Sequence, residues 1–181
     1  NTAYLKIQLN MNTIPQIAQT VGTPLFIFSK SNFENEYNKL SALLPKVKHH
    51  FALKSLPHES CVAVINELNG YLDLATPGEI DIVKNTCPSL LLRSIVTHPI
   101  KSKSDLDYIV KNGIRTVVVD SMYELEKMIP YKNDLDILIR IAFCNEDARC
   151  DLSKKFGCRA DEVFDIVEKA LENKLNIIGC C

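Results

Sequence analysis

The sequence predicts an α/β protein in which parallel strands alternate with helices. Three observations predict it. Apolar, β-branched runs recur at His49 to Lys54, Tyr71 to Ala75, Leu90 to Thr97, Thr116 to Asp120, Asp136 to Ile141 and Asn176 to Cys181. The runs are nearly continuous rather than alternating, which is how strands covered on both faces read. They are spaced about 20 to 25 residues apart with helical segments between, the signature of parallel βαβ units.

Each intervening element has its own signal. Ser31 with Glu34, Thr76 with Glu79, and Ser121 with Glu124 fit the S/T-x-x-E capping box at three helix starts. Pro77 takes a first helical position, where a missing N–H costs nothing. Leu106, Ile109 and Val110 form an apolar stripe, with Gly113 as a C-terminal stop. A last helix is expected from about Asp161 to Lys174, with Val163, Ile166, Val167, Ala170 and Leu171 on one face.

Two architectures satisfy this pattern: an open doubly wound sheet and a (β/α)8 barrel. Only six glycines occur, and neither GxGxxG nor a P-loop is present, which weakens the nucleotide-binding open sheet. A barrel needs eight strands and typically about 250 residues, whereas this chain has 181 residues and six strand-type runs. The sixth reaches the last residue and the first residue is not Met, so a trimmed chain is the expectation.

Composition narrows the function classes. The chain is 46% hydrophobic and 24% charged, as in a globular domain. The balance of 21 basic and 22 acidic residues implies neither a nucleic-acid face nor a membrane-surface patch. No apolar run approaches the ~20 residues of a membrane span. Seven cysteines without CxxC spacing argue against zinc and for a reducing cytoplasm. No histidine has a partner at metal-ligand spacing, so no metal is expected.

In parallel α/β folds, chemistry gathers where the strands end. Lys54 closes the first run, Asp73 interrupts the second, Thr97 and His98 close the third, Asp120 closes the fourth and Arg140 lies near the end of the fifth. A lysine ending a buried strand is expected to lose hydration of its charged form, and its neutral amine suits Schiff-base chemistry with an aldehyde. The plainer reading is an ion pair, with Asp73, Arg140 and Lys54 neutralising one another and Glu79 only capping its helix.

At these residues the chain resembles a known family. Phe51-Ala-Leu-Lys54 resembles the Tyr-Ala-Val-Lys motif of the fold-type III pyridoxal-phosphate decarboxylases, which act on ornithine, lysine, diaminopimelate and arginine. Leu72-Asp73-Leu-Ala-Thr-Pro-Gly-Glu79, Thr97-His-Pro99-Ile-Lys101, Val118-Val-Asp120-Ser121, Leu138-Ile-Arg140-Ile and Leu152-Ser-Lys-Lys155-Phe-Gly157 follow in the family's order. The Asp-x-Ala-Thr and Ser-Lys-Lys-Phe-Gly forms look closest to the ornithine/lysine branch. The resemblance implies an incomplete, alanine-racemase-like barrel over residues 46–181, preceded by a segment and helix over 1–45. Lys54 would be the catalytic lysine that condenses with pyridoxal 5'-phosphate. Asp73 and Arg140 would be cofactor-binding, with Glu79, His98 and Lys155 behind them or on the substrate side. The loop from Cys144 to Lys154 would suit a lid. The implied reaction converts a basic amino acid to a diamine and CO₂ in a cytoplasmic homodimer of polyamine biosynthesis. Leu56 and His98 stand where the family carries Asn. The family's later His-Val-Gly-Ser motif, glycine-rich phosphate loop and Glu-Pro-Gly-Arg segment have no counterpart in these 181 residues, so the chain alone is expected to be inactive. A non-catalytic homologue serving as a binding or regulatory module, and a racemase-like pyridoxal-phosphate barrel, are the rival readings.

Overall fold

Six strands, β1 (His50–Ala52), β2 (Tyr71–Leu74), β3 (Ser94–Val96), β4 (Thr116–Val119), β5 (Asp136–Ile139) and β6 (Asn176–Cys180), pair in the order in which the chain makes them. Every pairing is parallel. The structure is a computed structural model and describes residues 13–144, 147 and 149–181. The first twelve residues of the expected leading segment, and part of the expected lid, lie outside the described residues.

Sequential strand order separates the two candidate architectures. A doubly wound sheet reverses its strand order at a switch point, whereas a barrel wall never does. No reversal occurs here, and β1 and β6 are not paired with each other. The sheet is an open wall of a barrel, as the strand count implied.

Helices α1 (Ile14–Val21) and α2 (Lys30–Leu43) precede β1. Helices α3 (Glu59–Glu67), α4 (Pro77–Thr86), α5 (Lys103–Lys111), α6 (Met122–Met128) and α7 (Val163–Glu172) fill the crossovers, save that α3 to α6 follow β1 to β4 and α7 follows β5 after a longer loop. The register aligns Leu74, Val96, Val117 and Ile137 on one face, with Val119 beside Ile139 two residues further on. All six are at most 3% exposed, and they share one core with Ile65, Ile80, Leu106, Leu125 and Ile166 of the helices. The alternate residues Tyr71, Asp73, Ile95, Thr116 and Leu138 lie on the opposite, concave face and are only half-buried, while Val118 on that face is buried. Burial is thus complete between sheet and helices and incomplete inside the wall.

Several local expectations change. Helix α2 is capped by Ser29, not Ser31: Ser29 is extended and its hydroxyl accepts the Asn32 N–H at 3.3 Å, placing Ser31 inside the helix. Thr76 and Ser121 do cap α4 and α6, each accepting the N–H three residues on at 3.3 Å. The Leu90 to Thr97 run is only partly strand. Pro88–Arg93 form a 3₁₀ turn that buries Leu90 and Leu91 before β3 begins. β6 carries a bulge opposite Ile137 and Leu138, whose partners are Ile177 and Gly179, so Ile178 is the extra residue and is half exposed.

Candidate active site

The carboxyl ends of the strands form one rim. Lys54 does not close β1 but lies on a 3₁₀ turn, Leu53–Ser55, directly after it. Leu53 is fully buried and anchors that turn, while the Lys54 side chain is exposed to solvent. The turn lifts Lys54 out of the sheet, so the burial expected of a lysine inside a strand is not found.

Asp73 pairs in register with Ala52, two residues before Lys54. Its Oδ1 accepts the Thr97 hydroxyl at 2.6 Å, which fixes the carboxylate against the end of β3. Arg140 follows β5, and its N–H donates to the Val119 carbonyl at 2.8 Å. Both Asp73 and Arg140 act on the thiol of Cys181 after β6. Burial pushes that thiol up, Arg140 pulls it down, and Cys180 and Asp73 push it up. Lys54, Asp73 and Arg140 therefore share one rim, but no ion pair joins any two of them among the described residues.

The organising side chain at this rim is Phe156, which strand-end reasoning did not single out. The Arg140 guanidinium lies 4.8 Å from its ring centroid and the Lys155 ammonium 4.9 Å, both within cation–π range. The His98 ring meets it edge-on at 6.0 Å. Phe156 is held from the next two residues. The Gly157 N–H donates to Asp120 Oδ2 at 3.0 Å, and Cys158 N–H to the Arg140 carbonyl at 2.9 Å. Gly157 has φ +94°, and a Cβ there would sit 2.6 Å from the Ala142 nitrogen, so this close approach of loop to strand requires glycine. The Ser-Lys-Lys-Phe-Gly motif contained this signal, in an aromatic flanked by a lysine and a glycine.

Glu79 is buried but turned to its own helix. It accepts the Ala75 N–H at 2.9 Å and the Thr76 hydroxyl at 3.2 Å. Both bonds go to the residues that lead into α4. His98 and Lys155 join Arg140 through Phe156, as described. The rim can thus offer an exposed amine, an oriented carboxylate and a stacked guanidinium.

The family model described as pyridoxal-dependent decarboxylase, pyridoxal binding domain, matches residues 30–181. A lysine/ornithine decarboxylase of Selenomonas ruminantium is 26% identical over 174 residues, which cover 96% of this chain and 44% of that protein. Antizyme inhibitor 2 of Xenopus laevis is 26% identical over 179 residues, 97% of this chain and 39% of that protein. Among solved structures, a lysine/ornithine decarboxylase of Vibrio vulnificus complexed with cadaverine has a TM-score of 0.82 at 32% identity. It is covered over 94% of this chain and 44% of that chain. A mutant SrLDC in complex with PLP has a TM-score of 0.88 at 26% identity, over 97% and 45%. The chain spans under half the length of these relatives.

Proposed function

The chain belongs to the pyridoxal-dependent decarboxylases, as their pyridoxal-binding domain, and on that premise we propose that it is the barrel portion of an enzyme that converts ornithine or lysine to a diamine and CO₂. The observation that carries the reading is the rim itself: an exposed Lys54 amine follows the strand that pairs with Asp73, and Arg140 closes the same edge. This donor set fits the aldehyde end of pyridoxal phosphate. The residues for its phosphate and ring nitrogen are not among the six motifs, and we assign them to sequence outside this chain.

When bound, pyridoxal phosphate supplies an aldehyde and an electron-withdrawing ring that takes up the electron pair left as CO₂ departs. Lys54 would hold the cofactor by its primary amine. Asp73, fixed by the Thr97 hydroxyl, offers an acceptor for an N–H at the mouth. Arg140, over the Phe156 ring, would supply guanidinium N–H donors to an anion. A cytoplasmic location rests on the cysteine spacing in the sequence. Homodimer formation and a place in polyamine biosynthesis follow the same family reading.

A second reading keeps the barrel without the chemistry, as a binding or regulatory module. Leu56 and His98 at positions where the family carries Asn favour it, as does the Antizyme inhibitor 2 relative. The decarboxylase family match speaks against the racemase-like alternative. The test is CO₂ release from L-ornithine and L-lysine by the intact protein, with visible absorbance of bound cofactor. The enzyme reading expects both signals and their loss in Lys54→Ala. A wild type that binds no cofactor and releases no CO₂ supports the module.

A further inference from the structure

Beneath the rim lies a buried charge that the mechanism above does not use. Lys101 is 3% exposed and Glu124 2%. The Lys101 ammonium lies 3.1 Å from Glu124 Oε1 and donates to the carbonyls of His98 at 3.1 Å, Pro99 at 2.9 Å and Val118 at 2.6 Å. Glu124 Oε1 also accepts the Lys101 N–H at 3.0 Å. Lys127 pairs with the other Glu124 oxygen and donates to the Lys101 carbonyl at 2.5 Å.

The geometry points to the Lys101–Glu124 pair as a positioning clasp that fixes His98 and Asp120, and through them Phe156 and Arg140, for the reaction proposed above. This rests on that reading of the rim. The ammonium draws together the turn after β3, the end of β4 and the first turn of α6. His98, whose carbonyl it holds, presses its ring on Phe156. Val118, whose carbonyl it also holds, lies two residues before Asp120, which anchors Gly157 next to Phe156. Two of the contacts that hold the Phe156 segment, the His98 ring and the Asp120 anchor of Gly157, are therefore tied to one buried cation. A methionine could fill the same volume but could not gather three carbonyl oxygens on one point. Burial lowers the proton affinity of Lys101 and Glu124 opposes that shift, so the pair depends on both partners. Replacing a buried pair by apolar residues is often neutral for stability, which allows positioning to be separated from folding.

The experiment compares wild type, K101M and K101M/E124M of the intact protein. It reads melting temperature, hydrogen exchange of peptides spanning 97–105 and 155–158, and the steady-state constants for ornithine and lysine with saturating cofactor. K101M is expected to exchange at least tenfold faster in both peptides and to raise KM at least tenfold. In K101M/E124M the melting temperature is expected to recover while exchange at 155–158 and KM do not. Recovery of all three together would make the pair merely structural and overturn the clasp. So would faster exchange confined to 97–105. If K101M does not fold, the double variant, which leaves no buried carboxylate behind, carries the same measurements. A wild type that releases no CO₂ sinks the proposed function, and the exchange at 155–158 still decides the clasp.

Discussion

Asp136 opens β5 at the end of the sheet opposite the rim and shows how single residues set stability here. Burial works to raise its carboxyl, but hydrogen bonds from Asn176 at 2.8 Å and Arg115 at 3.1 Å outweigh it, with help from the Arg115 charge, and hold it below the usual carboxylate range. A carboxyl lowered by folding adds stability above its unfolded value, and that contribution is lost as pH falls through the folded one. Melting temperature should therefore drop on acidification from about pH 4 downward, and D136N should flatten that limb in melts across pH 6 to 3. A D136N protein with an unchanged acid limb would contradict this. Lys54, Asp73 and Arg140 were legible in sequence because a charge at the end of an apolar run is conspicuous. Lys101 was not. A lysine two residues after a proline reads as solvated, and its burial goes with carbonyls of its own turn and of β4 and a carboxylate 23 residues away. The exposure of Lys54 was missed for a related reason: no residue type announced the 3₁₀ turn that follows β1.

The elements were read best where a cap matched a known pattern and worst where a near-synonym replaced it. At α4 and α6 the serine or threonine performs its half of the box, but the glutamates take their backbone N–H from a residue other than the capping one. Glu79 reaches Ala75 and Glu124 reaches Lys101. The complete reciprocal box is at α5, where Ser102 accepts the Asp105 N–H at 3.1 Å and Asp105 accepts the Ser102 N–H at 3.0 Å. It escaped the pattern because the third helical residue is Asp rather than Glu or Gln. Removing such a cap costs about 0.5–2 kcal/mol. S102A should thus destabilise by about 1 kcal/mol in denaturant melts, and S31A, inside α2 where its hydroxyl meets the capping Ser29 hydroxyl at 3.4 Å, should fall well below it. Equal losses would show that the cap at α5 is not what holds that helix. The β3 region misled for a different reason. Leu90, Leu91, Ile95 and Val96 are equally apolar, and the proline that turns the first pair into a 3₁₀ segment stands two residues ahead of them.

For the whole molecule, strand order was legible because each crossover carries one helix, but the unequal burial of the two faces was not. That inequality depends on what the wall lacks, namely an opposite side to cover Tyr71, Ile95 and Leu138. Among the described residues, β6 has no strand partner on its outer edge, and Ile178 is 50% exposed there. In isolation the 181-residue chain is expected to self-associate through this edge, and I178K should shift it toward monomer in light scattering after size exclusion. A monomeric wild type at high micromolar concentration would refute that. The same wall has a further consequence. Because each strand touches only the strands before and after it, its connectivity is that of a linear array, closer to a solenoid than to a closed ring. A closed ring must break two seams to release any strand, whereas an array can fray from one end while its middle stays zipped. Native-state hydrogen exchange of the isolated chain should then show a gradient: fastest at the end strands β1 and β6, slower at β2 and β5, and slowest at the central β3 and β4, with the buried Val96, Val117 and Val119 beneath them. Single-step, uniform protection across all six strands would mean that the shared helical core, rather than the ladder of strands, sets the cooperative unit.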